Sequence, residues 1–160
     1  AYIHEHYSMN VTLTDVHNAL QANLSFVQCT ATRLPFDNDA FDAALLSFVL
    51  HHADDPQQVM QEALRVSRHV LVLESVAYHP LQRRLLGWTD AAVNAVRSGG
   101  TMAPPHPETY RSLDGWMSWM QAQGGQVVRK ELIPGRLHPW AVLVVRPAQR
   151  ASASTDTSLG

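Results

Sequence analysis

The sequence predicts an α/β fold: a sheet whose strands alternate with helices and which closes in an antiparallel hairpin. Four short β-rich runs lie in the first half of the chain, with a helical pattern between the third and the fourth. The third run, 43–50, is apolar except for Ser47, which is typical of a parallel strand buried on both faces. Nothing helical separates runs 126–133 and 140–145, so these two strands should form a hairpin. This order of elements is typical of α/β domains.

The first half of the chain supplies most of the predicted sheet. Its strands are expected at 11–15, 24–29, 43–50 and 69–76. A helix is expected to begin at Asp55-Pro56, because Asp accepts hydrogen bonds from first-turn amides and Pro at the first helical position loses no needed donor. The helix then carries an apolar stripe at helical spacing, formed by Val59, Met60, Ala63, Leu64 and Val66.

The second half predicts two helices and the hairpin. The helices are expected at 81–96 and 110–122, separated by a Gly- and Pro-containing loop, and the second should stop at Gly124-Gly125. Residues 148–160 are rich in Ser, Ala and Thr and nearly free of large apolar side chains. We therefore expect one domain over 1–147 and a disordered tail over 148–160.

Composition excludes several classes of function. A chain of 160 residues suits one domain, and a formal net charge of −2 gives no reason to expect a nucleic-acid partner. No apolar run approaches the roughly 18 residues of a membrane span, and the N-terminus has no signal-peptide pattern. The single cysteine excludes an internal disulfide, so a cytoplasmic location is the default expectation.

Residues 33–52, RLPFDNDAFDAALLSFVLHH, carry the most specific signal in the chain. They resemble the "LPF…FD…VLHH" segment of class I S-adenosylmethionine-dependent methyltransferases that act on small molecules. Asp55-Pro56 and the run 62–66, EALRV, match the helix that follows in that family. The resemblance implies a Rossmann-like sheet with helices on both faces, an antiparallel closing hairpin, S-adenosylmethionine as cofactor and a small-molecule methyl acceptor.

The same resemblance implies a set of cofactor-binding residues. In the family a carboxylate at the position of Asp15 accepts hydrogen bonds from both ribose hydroxyls, and Val16 adjoins it. Thr30 and Ala31 stand where the family has a carboxylate that binds the adenine amino group and the residue after it; a threonine accepts more weakly. Ser47 ends the apolar strand and is a candidate for contact with the methionine moiety.

His51 and His52 are weak catalytic candidates. Either imidazole could accept a proton from a hydroxyl on the methyl acceptor, because imidazole titrates near neutrality. The preferred interpretation at the level of a single sequence is that one histidine caps the next loop and the other packs. The segment 81–123 is where the family covers the acceptor. It contains Trp88, Tyr110, Trp116 and Trp119, which could line an acceptor pocket but are more often core residues.

Some family features are missing from the sequence. The family's first strand leads into a glycine-rich cofactor loop, and no glycine precedes Gly87 here. We therefore expect an N-terminally truncated chain without the family's first strand. That strand normally separates the one ending at Asp15 from the one at 43–50, so these two must pair directly or leave unpaired edges.

Three functions compete at this level. The first is methyl transfer to a small molecule, and the second is a non-catalytic remnant of the fold that serves as an interaction module. The third is a nucleotide-dependent oxidoreductase, because an Asp after a strand also serves NAD, but the closing hairpin argues against it. No metal site is predicted, since His4, His6 and His17 lack further ligands at motif spacing. The oligomeric state stays open.

Overall fold

The computed structural model describes residues 9–16, 24–98, 107–135 and 138–148. In chain order the elements are β1 (Thr12–Asp15), β2 (Ser25–Gln28), β3 (Phe41–Ser47), α1 (Pro56–Val66), β4 (Ser67–Ser75), α2 (Pro80–Ser98), a short 3-10 turn (Pro107–Thr109), α3 (Leu113–Ala122), β5 (Gly125–Ile133) and β6 (Trp140–Pro147). The α/β prediction is confirmed. The expected helix after Asp15 and the tail from 149 onward lie outside the described residues.

The strands form two separate sheets. β1 and β2 pair in parallel, and a four-stranded sheet has the order β3-β4-β6-β5. β3 and β4 are parallel, whereas β6 runs antiparallel to both β4 and β5. The predicted hairpin is therefore present. In the described part of the chain β1 and β3 do not pair with each other, so each keeps an edge that the expected intervening strand would occupy.

One face of the four-stranded sheet carries the core. α1 and α3 both pack on it, and the fully buried side chains include Met60 on α1 together with Trp116 and Met120 on α3. The sheet contributes alternate residues, Val70, Val72, Ala141, Leu143 and Val145, as the two-residue period of a strand requires. Each fully buried apolar side chain of this size contributes about 1.5–3 kcal/mol.

The prediction that β3 is buried on both faces was wrong. Its exposed residues alternate with half-buried ones, and Leu45 is 55% exposed. β3 is an edge strand of its sheet, and α1 and α3 cover only the face opposite Leu45. An apolar sequence specifies strand formation, but burial of its second face depends on what else packs there.

Helix ends follow the sequence signals closely. Asp55 Oδ1 accepts from the amide of Gln58 at 3.0 Å, and Pro56 begins α1. α3 begins later than predicted, at Leu113, because Ser112 caps it by accepting from the amide of Gly115 at 3.1 Å. Tyr110, expected inside that helix, precedes it. Gly124 follows α3 with φ 82°, a left-handed conformation that favours glycine.

A charged clamp ties the loop after β2 to α1. Glu62 accepts from the Leu34 amide at 2.8 Å and from Arg65 Nε at 2.7 Å. Arg65 in turn donates to the carbonyls of Phe36 and Leu34 at 2.7 and 3.0 Å. These hydrogen bonds, chiefly the one from Arg65, hold the pKa of the Glu62 carboxyl below its usual value. The clamp fixes the segment that leads from the two-stranded sheet into β3.

Candidate active site at the carboxyl ends of β3 and β4

The chain turns sharply where β3 ends. Phe48 has φ 54°, an unusual and strained conformation for a bulky residue, and its amide donates to the Leu73 carbonyl of β4 at 2.9 Å. Its ring meets the Trp140 ring edge-on at 5.7 Å between centroids. The turn carries Leu50 and His51 back over the end of β4.

Glu74 is the anchor of the site. It lies near the end of β4 and is fully buried, so its carboxylate must be hydrogen-bonded to be tolerated. One oxygen accepts from the Leu50 amide at 2.8 Å, and the other contacts His51 Nδ1 at 2.5 Å. Because a carboxylate accepts, His51 donates through Nδ1, which leaves Nε2 as the ring nitrogen that Glu74 does not contact.

The second nitrogen of His51 faces helix α2. Its Nε2 lies 3.4 Å from Asp90 Oδ2, and the hydroxyl of Tyr110 donates to that same carboxylate oxygen. Burial, and then Asp90, raise the pKa of Tyr110 well above its usual value, so the tyrosine stays a donor. Tyr110 is placed by the neighbouring Arg111, which forms a parallel bridge with Val76 just beyond β4.

His52 completes the group that we call the polar cluster: His51, His52, Glu74, Asp90 and Tyr110. The His52 ring lies 4.0 Å from that of His51, and its side chain is on the exposed side of the cluster. Burial of its ring nitrogens and the neighbouring His51 lower the pKa of His52. The Tyr110 ring lies 5.1 Å from that of His51, so two rings neighbour this imidazole.

The candidate cofactor residues lie at the carboxyl ends of other strands. Asp15 and Val16 are exposed at the end of β1, where the Cys29 amide donates to the Asp15 carbonyl at 3.1 Å. Thr30, after β2, is also exposed, and its Oγ1 accepts from Thr32 Oγ1 at 3.2 Å. Parallel pairing of β1 with β2 places Asp15 and Thr30 towards the same edge of the two-stranded sheet, where ligands of α/β sheets bind.

Ala31 and Ser47 have different surroundings. Ala31 is half-buried and packs against the core of the four-stranded sheet, which leaves its backbone as the part available to a ligand. Ser47 is exposed at the end of β3, opposite Leu73 and next to the strained turn. Parallel pairing thus brings Ser47 to the same edge as the polar cluster, whereas Asp15 and Thr30 belong to the other sheet.

Comparison with known proteins finds methyltransferases. A family profile described as "Methyltransferase domain" matches residues 2–70. The demethylmenaquinone methyltransferase of Clavibacter sepedonicus is 32% identical over 145 residues, which cover 81% of this chain and 58% of that protein. The ubiquinone/menaquinone biosynthesis C-methyltransferase UbiE of Hahella chejuensis is 32% identical over 95 residues, 57% of this chain and 37% of that protein. This chain therefore spans little more than half of the first relative and less of the second.

The fold has solved counterparts as well. The PH0226 protein of Pyrococcus horikoshii OT3 superposes with a TM-score of 0.63 at 15% identity, covering 91% of this chain and 75% of that one. The chain resembles the class I S-adenosylmethionine-dependent methyltransferases in sequence and in fold. The cofactor of this family is S-adenosylmethionine, as the 33–52 segment implied. None of the described helices has the length and hydropathy of a membrane span.

Sequence reasoning missed two of the five residues of the polar cluster. The histidines were found because they end a buried strand, but Glu74 appeared only as part of an apolar run and Asp90 as a polar residue inside a helix. A signal for Glu74 was present, since a charged residue within a strand flanked by buried positions needs a partner. No local signal relates Asp90 to His51, because they meet only through the packing of α2. Of the aromatic candidates, Tyr110 lies in the cluster, while Trp116 is core and Trp88 is 52% exposed.

Proposed function

We propose that this chain takes part in methyl transfer from S-adenosylmethionine to a small-molecule acceptor, with the acceptor bound against the polar cluster. The observation that carries the proposal is His51, buried at the end of β3 with Nδ1 held by Glu74 at 2.5 Å. In a methyltransferase fold ligands bind beyond the carboxyl ends of the strands, and this imidazole lies there.

The cofactor side is assigned to the exposed residues of the neighbouring strand ends. Asp15, with Val16 beside it, would hold the ribose hydroxyls, Thr30 and the backbone of Ala31 the adenine edge, and Ser47 the methionine end. When bound, the cofactor supplies an electrophilic methyl group on a sulfonium. The protein then has to align the two partners and exclude water.

His51 would accept a proton from a hydroxyl of the acceptor. Glu74 fixes the ring and keeps the proton on Nδ1, so the lone pair of Nε2 is the group available for this step. Asp90, oriented by Tyr110, would stabilise the imidazolium that results, because its Oδ2 is 3.4 Å away.

The relatives favour a ring-shaped acceptor of the hydroquinone type. Their names describe methyltransferases of demethylmenaquinone and of ubiquinone and menaquinone biosynthesis, the second a C-methyltransferase. Removing a proton from a ring hydroxyl raises the electron density on the ring carbons, which fits the same His51 chemistry. The exposed ring of His52 would offer a stacking surface to such an acceptor.

A second candidate is the non-catalytic interaction module. The observation in its favour is that β1, with Asp15 and Val16, belongs to a separate two-stranded sheet and does not pair with β3. A cofactor whose groups contact both sheets would have to bridge them. This candidate predicts no measurable affinity for S-adenosylmethionine.

Calorimetric titration of the 160-residue chain with S-adenosylmethionine separates the two functions. Methyl transfer requires saturable binding that Asp15→Ala weakens by about tenfold or more, since hydrogen bonds to a charged group contribute about 1.5–3 kcal/mol. The matched control is Asp114→Ala, an exposed carboxylate on α3 that should leave affinity unchanged. Absence of binding, or equal losses in the two variants, would contradict the proposal.

A further inference from the structure

The contact between His51 Nε2 and Asp90 Oδ2 is unusual for a hydrogen bond. His51 Nδ1 contacts Glu74, and Nε2 lies 3.4 Å from Asp90 Oδ2, so both ring nitrogens face carboxylates. A charge-assisted hydrogen bond between Nε2 and Oδ2 would measure roughly 2.7–2.9 Å. The observed separation is longer than that.

The same separation suits two ligands of one metal ion. Donors about 2.1 Å from a tetrahedral ion lie about 3.4 Å apart. His52 supplies a third donor, and the ligand atoms of His51, His52 and Asp90 all lie within 4.8 Å of one another. Any gap wider than about 3.4 Å would have to close when the ion binds, and the exposed His52 side chain is the least confined of the three ligands.

The surroundings of the three groups resemble those of a built metal site. A ligating histidine usually donates its other ring N–H to a carboxylate, and Glu74 does this to His51 from a fully buried position. Ligating carboxylates are themselves hydrogen-bonded, and Tyr110 donates to Asp90. The contacts that orient these two ligands are thus already present.

We propose that His51 Nε2, His52 and Asp90 form a site for a divalent transition-metal ion, with Zn²⁺ the best chemical fit. Two imidazoles and one carboxylate suit Zn²⁺ in preference to Mg²⁺ or Ca²⁺, which favour all-oxygen sites. Three protein ligands leave a fourth position open, the pattern of catalytic rather than structural zinc. The ion would link the turn after β3 to helix α2.

This inference goes beyond the methyl transfer proposed above and does not depend on it. The ligands converge whether or not a methyl acceptor binds. The two functions of Nε2 exclude each other, because a nitrogen that holds Zn²⁺ cannot accept a proton. Metal bound here would therefore inhibit proton acceptance by His51.

The test is a titration of the metal-free 160-residue chain with Zn²⁺ by calorimetry, without S-adenosylmethionine or acceptor. Co²⁺ serves as a second probe, since its visible spectrum reports tetrahedral coordination and is bleached when Zn²⁺ displaces it. We expect one ion per chain at the cluster. Because loss of an outer-shell partner alone weakens metal sites by 10–100-fold, His52→Asn and Asp90→Asn should each lower the affinity at least about tenfold.

The matched control is His69→Asn, an exposed histidine on β4 that should leave the affinity unchanged. Glu74→Gln tests the positioning role of that residue: it should weaken binding about 10–100-fold and change the Co²⁺ spectrum. Thermal unfolding in EDTA checks that each metal-free variant folds. If Asp90→Asn does not fold, the Zn²⁺ affinity of the exposed His52→Asn variant decides the test.

Two results would overturn the proposal. One is the absence of saturable Zn²⁺ binding by the folded chain. The other is binding that persists at full affinity in the His52→Asn, Asp90→Asn double variant, which would assign the ion to other histidines of the chain. Failure to transfer methyl groups would leave the metal result unaffected, so the two proposals fail separately.

Discussion

The two ends of the candidate site differ in how they are held. The polar cluster at the ends of β3 and β4 is organised around the fully buried Glu74, whose two oxygens contact the Leu50 amide and His51. The candidate cofactor residues Asp15, Val16 and Thr30 are all exposed, on a two-stranded sheet that is not paired with the other. Orientation at the first end comes from the protein, whereas at the second it would come largely from the ligand.

The two ends should therefore differ in how far a substitution changes stability as well as function. Disturbing the polar cluster should affect folding as well as chemistry, because its buried Glu74 is compensated by His51 and the Leu50 amide. Disturbing Asp15 should affect ligand binding with little effect on folding.

The largest expected effect is on Glu74. Glu74→Ala removes the partner of His51 and of the Leu50 amide, and breaking such a buried pair costs about 3–5 kcal/mol of unfolding free energy. Asp15→Ala should cost less than about 0.5 kcal/mol, as exposed substitutions usually do. Urea unfolding of both variants measures the two losses of unfolding free energy. Similar losses would contradict the distinction between the two ends of the candidate site.

A smaller effect is expected at the clamp between the loop after β2 and α1. Glu62→Gln weakens its charged hydrogen bonds with Arg65 and the Leu34 amide, at a cost of about 1.5–3 kcal/mol near neutral pH. Because folding lowers the pKa of Glu62, its stabilising contribution is present above the usual carboxyl pKa and is lost as pH falls through the folded value.

Unfolding of wild type and Glu62→Gln over a pH series tests the clamp. The stability difference between them should be constant near neutrality and should shrink below about pH 4.5, the ordinary carboxyl value. A difference that grows on acidification would contradict the assigned role of Glu62.

The smallest effect concerns the start of α1. Asp55→Ala removes the side-chain acceptor for the Gln58 amide and should cost about 1 kcal/mol. The neighbouring Asp54→Ala, which does not cap the helix, is the control and should change stability by much less. Thermal unfolding of the two variants measures the difference. Equal shifts in melting temperature would contradict the assignment of Asp55 as the cap of α1.

The sequence predicted most of the elements because their signals are local. The start at Asp55-Pro56, the stop at Gly124 and the hairpin of β5 and β6 all depend on neighbouring residues, and all are present. The burial of β3 was misjudged because the exposure of Leu45 depends on what packs against the sheet from elsewhere. The pairing of His51 with Glu74 and Asp90 was not foreseen for the same reason, since it joins residues 23 and 39 positions apart.

The central claim is that His51, held by Glu74, faces the methyl acceptor. The most direct measurement is transfer of labelled methyl from S-adenosylmethionine to a hydroquinone-type acceptor by the metal-free chain, comparing His51→Asn with the control His69→Asn. The account predicts a loss of about 10²-fold or more in kcat for His51→Asn, partly restored with an acceptor whose hydroxyl is already ionised, and no change for His69→Asn. Equal activity of the two variants, with both folded, would contradict it.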